Sequence, residues 1–234
     1  PLNWLIEYIM SSKTRKSILV TWLASLLVLI PNVLIFKSNF SLNTSRKVWH
    51  FPILLLISQP FVQDPEFVKI SLAGTVVLFL SVEYLRYLKL QPFGEYIDSK
   101  LRLFADFRDD KGPIIISYIY LIIGVSAPLL ISNSPVGLIS LGVGDSLASI
   151  IGGKWGKHFW SGTSKTIEGT LAFIVSTSLT TRFFKEYMGY FQAISQTNLY
   201  IVCILSGLLE GNSPVNDNIL IPAFMLIIEK IFCE

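Results

Sequence analysis

Charged residues are scarce in this sequence, and the scarcity excludes most soluble folds. Only 15% of the 234 residues are Asp, Glu, Lys or Arg, whereas an average soluble domain has about 25%. Hydrophobic residues make up 52% of the chain and are gathered in long runs. The composition therefore predicts an integral membrane protein.

Several other signals are absent. The two cysteines, Cys203 and Cys233, lie in apolar segments at a spacing that matches no disulfide or metal motif, so we expect buried, reduced thiols. No apolar/polar alternation of period two runs through the chain, which excludes a strand-based membrane fold. The N-terminal charges precede a full-length apolar span, so no signal peptide is predicted.

Eight apolar segments are candidate membrane-spanning helices, because a crossing requires about 20 mostly apolar residues. They cover residues 17–36, 48–63, 67–89, 113–133, 135–152, 167–184, 199–210 and 217–232. The second, seventh and eighth of these segments are short. We expect an all-α, polytopic membrane protein with about seven to eight transmembrane helices.

The basic residues predict which face of this bundle is cytosolic. If all eight segments cross, one face carries 12 of the 19 Lys and Arg residues and the other face carries 7. The positive-inside rule places the richer face in the cytosol, with the loops near 37–47, 86–112, 153–166 and 210–217. The sequons at Asn39 and Asn43 lie on this face, so we expect both to stay unglycosylated.

One aspartate lies deep in an apolar segment. In the stretch GVGDSLASIIGG, Asp145 stands about ten residues inside the fifth segment. An ionisable group at such depth is costly and marks a candidate functional site. The small residues around it, including Gly142 and Ser146, are equally typical of close helix packing. That alternative stays open for the glycines and serines.

The loop that follows, GGKWGKHFWSGTSKT, has the composition of an anion site. Glycines allow backbone N–H groups to approach an anion, and lysines such as Lys165 neutralise it. Thr166 is a predicted N-cap for the next helix, whose N-terminus is itself an anion site. Contact with anionic headgroups is the alternative. The loop is not a P-loop, because His158 stands where Ser or Thr is required.

Other polar clusters fall on the same predicted face. SRKVWH places Arg46, Lys47 and His50 at the entrance of a helix, where snorkelling explains the two cations as well as phosphate binding does. Glu83 and Arg86 have the i,i+3 spacing of a structural ion pair.

A late acidic cluster, LEGNSPVNDN, brings Glu210, Asp217 and Asn218 to the ends of two short apolar segments. A capped, solvated turn is the alternative explanation. Carboxylates suit Mg²⁺, which binds through one or two of them together with substrate phosphates. Phosphoryl transfer needs these residue types, since its catalysis is mostly positioning and charge stabilisation. The clusters together predict a site where a soluble nucleotide meets a lipid hydroxyl.

Four stretches of the sequence resemble a known family. GVGDSLASIIG and GTSKTIEGT are similar to the CTP-binding segment of the polyprenol kinase family, and FRDDKGPIIISYIYLIIG and LLEGNSPVNDNILIP are similar to the dolichol kinases within it. The similarity runs over about residues 45–230. Phytol kinases, CTP-dependent diacylglycerol kinases and, distantly, phosphatidate cytidylyltransferases are alike around the first two motifs.

The resemblance implies a CTP-dependent phosphorylation of dolichol or a related polyprenol, with Mg²⁺ or another divalent cation and no nucleic-acid partner. It implies a multi-pass protein of the endoplasmic reticulum membrane that contacts membrane lipids and supports protein glycosylation. We expect residues 1–234 to be one transmembrane kinase domain, the C-terminal catalytic part of a longer chain. The sequence carries no signal for an oligomeric state.

The resemblance also assigns residue roles. The expected catalytic residues are Asp145, Lys165, His50 and Asp217, and the expected metal ligands are Asp145, Asp217 and Glu210. The expected CTP-binding residues are Gly142, Gly144, Asp145, Ser146, Gly152, Gly153, Lys165, Thr166, Glu168, Gly169, Arg46 and Lys47. The general base is either a carboxylate or His50.

Two alternatives remain open. The chain could be another CTP-dependent lipid-alcohol kinase or a cytidylyltransferase, acting on phytol, diacylglycerol or phosphatidate. It could also be a lipid transporter without enzymatic activity, for which charges near the membrane midplane and two related halves are typical. Here the charges lie mostly at one face, and no internal repeat is visible.

Overall fold

The computed structural model describes residues 2–39, 47, 50–102, 113–115, 117–213 and 217–233, with side chains left out at 2, 30–31 and 33–39. Arg46, both predicted sequons and the charged loop at 107–112 lie outside the described side chains.

Ten helices make up the described parts of the chain. They are α1 (Leu2–Met10), α2 (Lys13–Asn39), α3 (His50–Gln63), α4 (Pro65–Tyr87), α5 (Gly94–Leu101), α6 (Ser117–Ser132), α7 (Val136–Trp155), α8 (Ile167–Tyr187), α9 (Gln196–Asn212) and α10 (Asp217–Ile231).

The all-α prediction is confirmed: the described residues contain no strand, only an isolated bridge between Phe159 and Thr166. Each of the eight predicted apolar segments corresponds to a helix. The structure also contains α1 and α5, which are not among those eight segments. Two helices among the described residues, α4 and α7, are long and apolar enough to cross a membrane. The predicted end of the fifth segment at residue 152 was wrong, because α7 continues to Trp155 and includes Gly152 and Gly153.

Several helices start where a side chain caps the first turn. Asp64 accepts a hydrogen bond from the Phe67 N–H (3.0 Å) before α4, and Pro65 occupies the first helical position. Thr166 accepts from the Gly169 N–H (3.1 Å) before α8, which confirms the predicted N-cap. These caps fix where the loops end and the apolar segments begin.

Helix α7 forms the centre of the molecule. It packs against α3, α6, α8 and α10, and its residues Leu138, Ile139 and Leu141 have no exposed surface. Residues 136–146 of α7 are buried on all sides, so the apolar character of this part of the helix reflects burial inside the protein. Its side chains therefore line the core.

The outer surface of the bundle is apolar along whole helices. On α8, the side chains of Leu171, Val175, Leu179 and Phe183 are each more than half exposed and follow one another at every fourth residue. At 1.5 Å per residue, this stripe is about 18 Å long. Soluble proteins rarely expose apolar patches of this kind to water, so the surface is that of a membrane protein.

Candidate active site

Lys47, three residues before α3, and His50, the first residue of α3, face the buried aspartate of α7. The side chain of Asp145 is almost fully buried and forms an ion pair with the ammonium group of Lys47. His50 lies beside them, with its Nδ1 atom 3.9 Å from Asp145 Oδ2. The predicted residues Asp145, Lys47 and His50 are therefore brought together, although Lys47 and Asp145 are 98 residues apart in the chain.

Asp145 is presented by an irregular turn of α7. Ser140–Asp145 form a π-helical segment between two α-helical parts, and all six residues are buried. A π turn inserts one extra residue into a helix and is frequent at functional sites. Here the Leu141 carbonyl accepts a hydrogen bond from the Ser146 hydroxyl (3.1 Å) and lies 3.2 Å from His50 Nδ1. The irregular turn thus connects α7 to the start of α3.

A second part of the site joins α9 and α10. The ammonium group of Lys165 lies 2.9 Å from Glu210 Oε1, 2.8 Å from Asp217 Oδ2 and 2.6 Å from the Glu210 carbonyl oxygen. Glu210 belongs to the last turn of α9 and Asp217 is the first residue of α10. A single lysine therefore bridges the C-terminus of one helix and the N-terminus of the next.

The two parts meet in one acidic cluster. Carboxylate oxygens of Asp145, Glu210 and Asp217 all lie within 4.8 Å of one another. Three carboxylates this close repel one another unless cations lie among them, and among the described residues Lys47 and Lys165 supply two positive charges. We use the name acidic cluster for Asp145, Glu210 and Asp217.

The cluster fits a divalent cation of the Mg²⁺ type. Carboxylate oxygen is the ligand that such hard cations prefer, and the cluster offers one from each of three helices. Asp217 Oδ1 is buried and has no hydrogen-bond partner among the described residues. A buried acceptor without a partner is costly, and a cation is one group that would satisfy it.

Lys165 is held in place by a hairpin-like loop at 156–166. The Trp160 N–H donates to the Lys165 carbonyl (2.9 Å), and the Trp160 indole N–H donates to the Thr170 hydroxyl on α8 (2.9 Å). The Thr163 hydroxyl donates to the Gly211 carbonyl on α9 (3.3 Å). The loop is thereby fastened to both helices beside the acidic cluster.

The surroundings of Lys165 keep it charged. Burial alone would lower the pKa of its ammonium group, but the carboxylates of Glu210 and Asp217 outweigh burial and raise this pKa above its ordinary value. A raised lysine pKa means that the side chain stays protonated at neutral pH. Lys165 is therefore a fixed positive charge in the site and not a proton acceptor.

Two of the predicted glycines allow helices to pack closely. A Cβ atom at Gly144 would lie 2.6 Å from Thr177 Cγ2 and 2.7 Å from the Phe173 ring, so α8 crosses α7 there. A Cβ atom at Gly152 would lie 2.7 Å from Thr166 Oγ1. These contacts support the packing interpretation for both glycines, and their predicted contact with CTP stays a prediction.

The other predicted residues make the following contacts. Gly142 lies against Leu54 and the His50 carbonyl, and Gly153 faces open space. The Ser146 hydroxyl donates a hydrogen bond to the Leu141 carbonyl of its own helix. The Gly169 N–H donates to the Thr166 hydroxyl. Glu168 lies 2.7 Å from His158 Nδ1 on the exposed side of the loop. For these residues a role toward a nucleotide stays a prediction.

A second buried ionic group connects α4, α5 and α6. The predicted pair Glu83–Arg86 is confirmed, and its guanidinium also pairs with Asp98 on α5. Glu83 accepts hydrogen bonds from the Ile115 N–H (2.8 Å) and the Tyr118 hydroxyl (2.7 Å), and Arg86 donates to the Pro113 carbonyl. We call this set the arginine network.

One buried acid was missed by the sequence analysis. Glu229, in the last turns of α10, is 5% exposed and accepts a hydrogen bond from the Ser134 hydroxyl. It lies twelve residues, or about 18 Å of helix, from Asp217 at the other end of α10. The depth argument that singled out Asp145 does not apply to Glu229, because Glu229 stands three residues before the end of the predicted segment 217–232 and next to Lys230.

Comparison with known proteins gives one consistent answer. The chain is 54% identical to a dolichol kinase of Saccharomyces cerevisiae over 99% of its own length and 45% of that protein. It is 35% identical to a dolichol kinase of Schizosaccharomyces pombe over 97% of its length and 50% of that protein. The chain is related to the dolichol kinases.

The similarity to dolichol kinases spans the whole site, since it extends over nearly all of the chain. The chain covers about half the length of these relatives. A phytol kinase of Synechocystis is 33% identical over only 37% of the chain and 39% of that protein. No protein-family model and no solved structure matches the chain.

Proposed function

We propose that this chain is the catalytic part of a CTP-dependent dolichol kinase. It transfers the γ-phosphate of CTP to the terminal hydroxyl of dolichol and releases dolichyl phosphate and CDP. The proposal rests on one observation: the carboxylates of the acidic cluster lie close together and form ion pairs with Lys47 and Lys165. The relation to dolichol kinases over nearly the whole chain supports the choice of acceptor.

The protein's part in this reaction is to hold charge in place. A new bond forms between the dolichol oxygen and the γ-phosphorus, the bond from that phosphorus to the β,γ-bridging oxygen breaks, and the hydroxyl proton passes to a base. Negative charge spreads over the phosphoryl oxygens as this happens. Lys165 and Lys47, which pair with carboxylates, are two cations in the described part of the site that can turn toward those oxygens.

The acidic cluster would hold Mg²⁺ through Asp145, Asp217 and Glu210. A bound Mg²⁺ would neutralise phosphate charge and orient the triphosphate. The three side chains come from α7, α9 and α10, and α10 packs against both of the other helices, so they need little reorganisation to receive a charged ligand. His50, at 3.9 Å from Asp145, stands at the edge of the cluster toward α3.

The membrane arrangement follows from the same proposal. All eight apolar helices would cross or enter the endoplasmic reticulum membrane, with the acidic cluster at the cytosolic face, where CTP is available for dolichyl phosphate synthesis and protein glycosylation. The basic-residue count supports this orientation. A glycosidase-sensitive mass shift at Asn39 or Asn43 would place their loop on the opposite side and contradict it.

Labelled CTP tests the proposed reaction directly. Purified protein in liposomes is incubated with dolichol and with CTP that carries the label in either the α- or the γ-phosphate. We expect the γ-label, and not the α-label, in the lipid product, with CDP as the second product. Transfer of the α-label with release of pyrophosphate would identify a cytidylyltransferase, and no transfer of either label would favour a non-enzymatic protein.

A further inference from the structure

Trp160 lies opposite Lys165 in the loop at 156–166. Its backbone N–H donates to the Lys165 carbonyl, and its indole N–H donates to the Thr170 hydroxyl near the start of α8. The side chain of Trp160 is half-buried, whereas that of its neighbour Phe159 is 63% exposed. One residue therefore connects the backbone of Lys165 to α8.

The indole ring fits against α9 because residue 211 is a glycine. A Cβ atom at Gly211 would overlap both the Trp160 indole nitrogen and the Thr170 hydroxyl oxygen. The loop, α8 and α9 therefore meet at this point. Gly211 directly follows Glu210, so the point of contact is one residue away from the acidic cluster.

The same loop supplies donors to the end of α9. Carbonyl groups in the last turn of a helix have no partner within the helix, and no backbone donor follows four residues after Glu210, because Pro214 has no N–H. The Lys165 ammonium group lies 2.6 Å from the Glu210 carbonyl oxygen, and the Thr163 hydroxyl donates to the Gly211 carbonyl (3.3 Å). The loop and the helix end thus stabilise each other.

The charge of Lys165 depends on this arrangement for its position. A lysine side chain is long and flexible, and fixing it costs conformational entropy, so the backbone position and the partners of Lys165 decide where its ammonium group lies. That group contacts Glu210 Oε1 and Asp217 Oδ2 at 2.9 and 2.8 Å. A shift of about 1 Å would break such contacts, and errors of that size can lower the rate of an enzyme strongly.

We propose that Trp160 is a positioning residue for Lys165. It holds the loop between α8 and α9, so that the ammonium group of Lys165 reaches Glu210 and Asp217 and lies where the phosphates of CTP bind. The proposal rests on the function proposed above for the role of Lys165 toward CTP. Trp160 acts through Lys165 and not through a contact of its own with the nucleotide.

The reactivity of Lys165 tests this role without a measurement of kinase activity. Purified protein in detergent is treated with an N-hydroxysuccinimide ester, which acylates accessible, unprotonated amines, and the labelled lysines are quantified by mass spectrometry. Because two carboxylates hold Lys165 as an ammonium group, we expect it to react more slowly than the exposed Lys157 of the same loop.

Trp160→Ala should expose Lys165 to the reagent. We expect the labelling of Lys165 relative to Lys157 to rise about fivefold or more, the factor that corresponds to the net loss of one hydrogen bond. Trp160→Phe, which keeps a ring but removes the indole N–H, should raise it in the same direction. Trp155→Ala replaces a tryptophan that is 58% exposed, so it is the matched control and should be labelled as the wild type is.

Kinetic constants test whether the effect is confined to the nucleotide. Trp160→Phe and Thr170→Val remove the two partners of one hydrogen bond. We expect each to raise the KM for CTP about fivefold and to leave the KM for polyprenol within about twofold of the wild type. Because both changes remove the same interaction, the double variant should be no worse than the worse single variant.

Unchanged labelling of Lys165 in both Trp160 variants would overturn the positioning role. So would an equal rise in the two KM values, or additive losses in the double variant. The labelling result does not depend on catalysis, so a wild-type protein that transfers no γ-phosphate would contradict the proposed function alone, while the labelling would still show whether Trp160 holds Lys165 in place.

Discussion

The acidic cluster and the arginine network are both buried groups of charged side chains, but their charges are satisfied differently. In the arginine network, Glu83 and Arg86 pair with each other, and Arg86 also pairs with Asp98 on α5. Glu83 accepts hydrogen bonds from the Ile115 N–H, just before α6, and from the Tyr118 hydroxyl in the first turn of α6. In the acidic cluster, three carboxylates approach within 4.8 Å with two lysines among them, and Asp217 Oδ1 has no partner among the described residues.

This difference separates a structural role from a functional one. A network whose donors and acceptors are all used has nothing left to offer a ligand, and it holds helices together. A cluster of like charges costs stability unless something else binds there, and unusual charge arrangements of this kind are typical of active sites. Burial alone would not distinguish the two groups, because Asp145, Glu210 and Glu83 are each 5% exposed.

The largest expected effect is on catalysis by the acidic cluster. Asp145→Asn keeps the shape of the side chain but removes its charge, and we expect it to lower turnover at least about a hundredfold, as removal of one electrostatic contributor to a transition state does. Glu229→Gln is the matched control, since Glu229 is equally buried but lies at the far end of α10. Initial rates of polyprenol phosphorylation check both variants.

The comparison holds only if both variants remain monodisperse and folded in detergent. If Asp145→Asn and Glu229→Gln lowered turnover equally, burial of an acid and not its place in the cluster would explain the loss. In that case Asp145 would be a packing residue.

The next effect concerns the cation that bridges the cluster. Lys165→Ala removes the ammonium group between Glu210 and Asp217, and we expect it to raise the KM for CTP or lower kcat by about tenfold or more. The preference among alcohols should not change, because Lys165 is assigned to the phosphates of CTP. Lys185→Ala, which removes a lysine that bonds the Phe191 and Ile194 carbonyls, is the control.

Steady-state kinetics with CTP and a panel of alcohols measure both effects. A changed order of preference among the alcohols in Lys165→Ala, with normal use of CTP, would contradict the assignment of Lys165 to the phosphates.

The smallest expected effect on turnover belongs to the arginine network. Glu83→Gln leaves Arg86 buried with one partner fewer, and breaking a buried ion pair costs about 3 kcal/mol of folding stability. We therefore expect a lower Tm, but a turnover per folded molecule within about threefold of the wild type. Glu66→Gln is the control, because Glu66 pairs with Lys69 at the surface and should change stability by less than about 1 kcal/mol.

Thermal unfolding in detergent, together with activity measured well below Tm, tests this separation. A hundredfold loss of turnover in Glu83→Gln with unchanged stability would place the arginine network in the active site.

The features that sequence alone predicted are the local ones. Long apolar runs revealed all eight apolar helices, and the i,i+3 spacing revealed the Glu83–Arg86 pair, because both depend on neighbours along the chain. The Thr166 cap was predicted for the same reason. The extra partner Asp98 was not predicted, since it comes from a different helix and no pattern connects it to Arg86.

The assembly of the site required long-range packing. Lys47 pairs with Asp145, 98 residues further along the chain, and Lys165 pairs with Asp217, 52 residues further along. No periodicity in the sequence predicts such contacts. The resemblance to polyprenol kinases had grouped Asp145, Lys165, Glu210 and Asp217, whereas their geometry comes only from the fold. The π turn before Asp145 was also not predicted, because its glycines fit a regular packed helix equally well.

Metal binding tests the difference between the two groups most directly. Mn²⁺ substitutes for Mg²⁺ at carboxylate sites and is counted by electron paramagnetic resonance as it is titrated into the purified protein with CTP. The account predicts one saturable Mn²⁺ site in the wild type and in Glu83→Gln, and loss of that site in Asp145→Asn and Asp217→Asn. Equal Mn²⁺ binding by all four proteins, or loss of the site in Glu83→Gln alone, would contradict it.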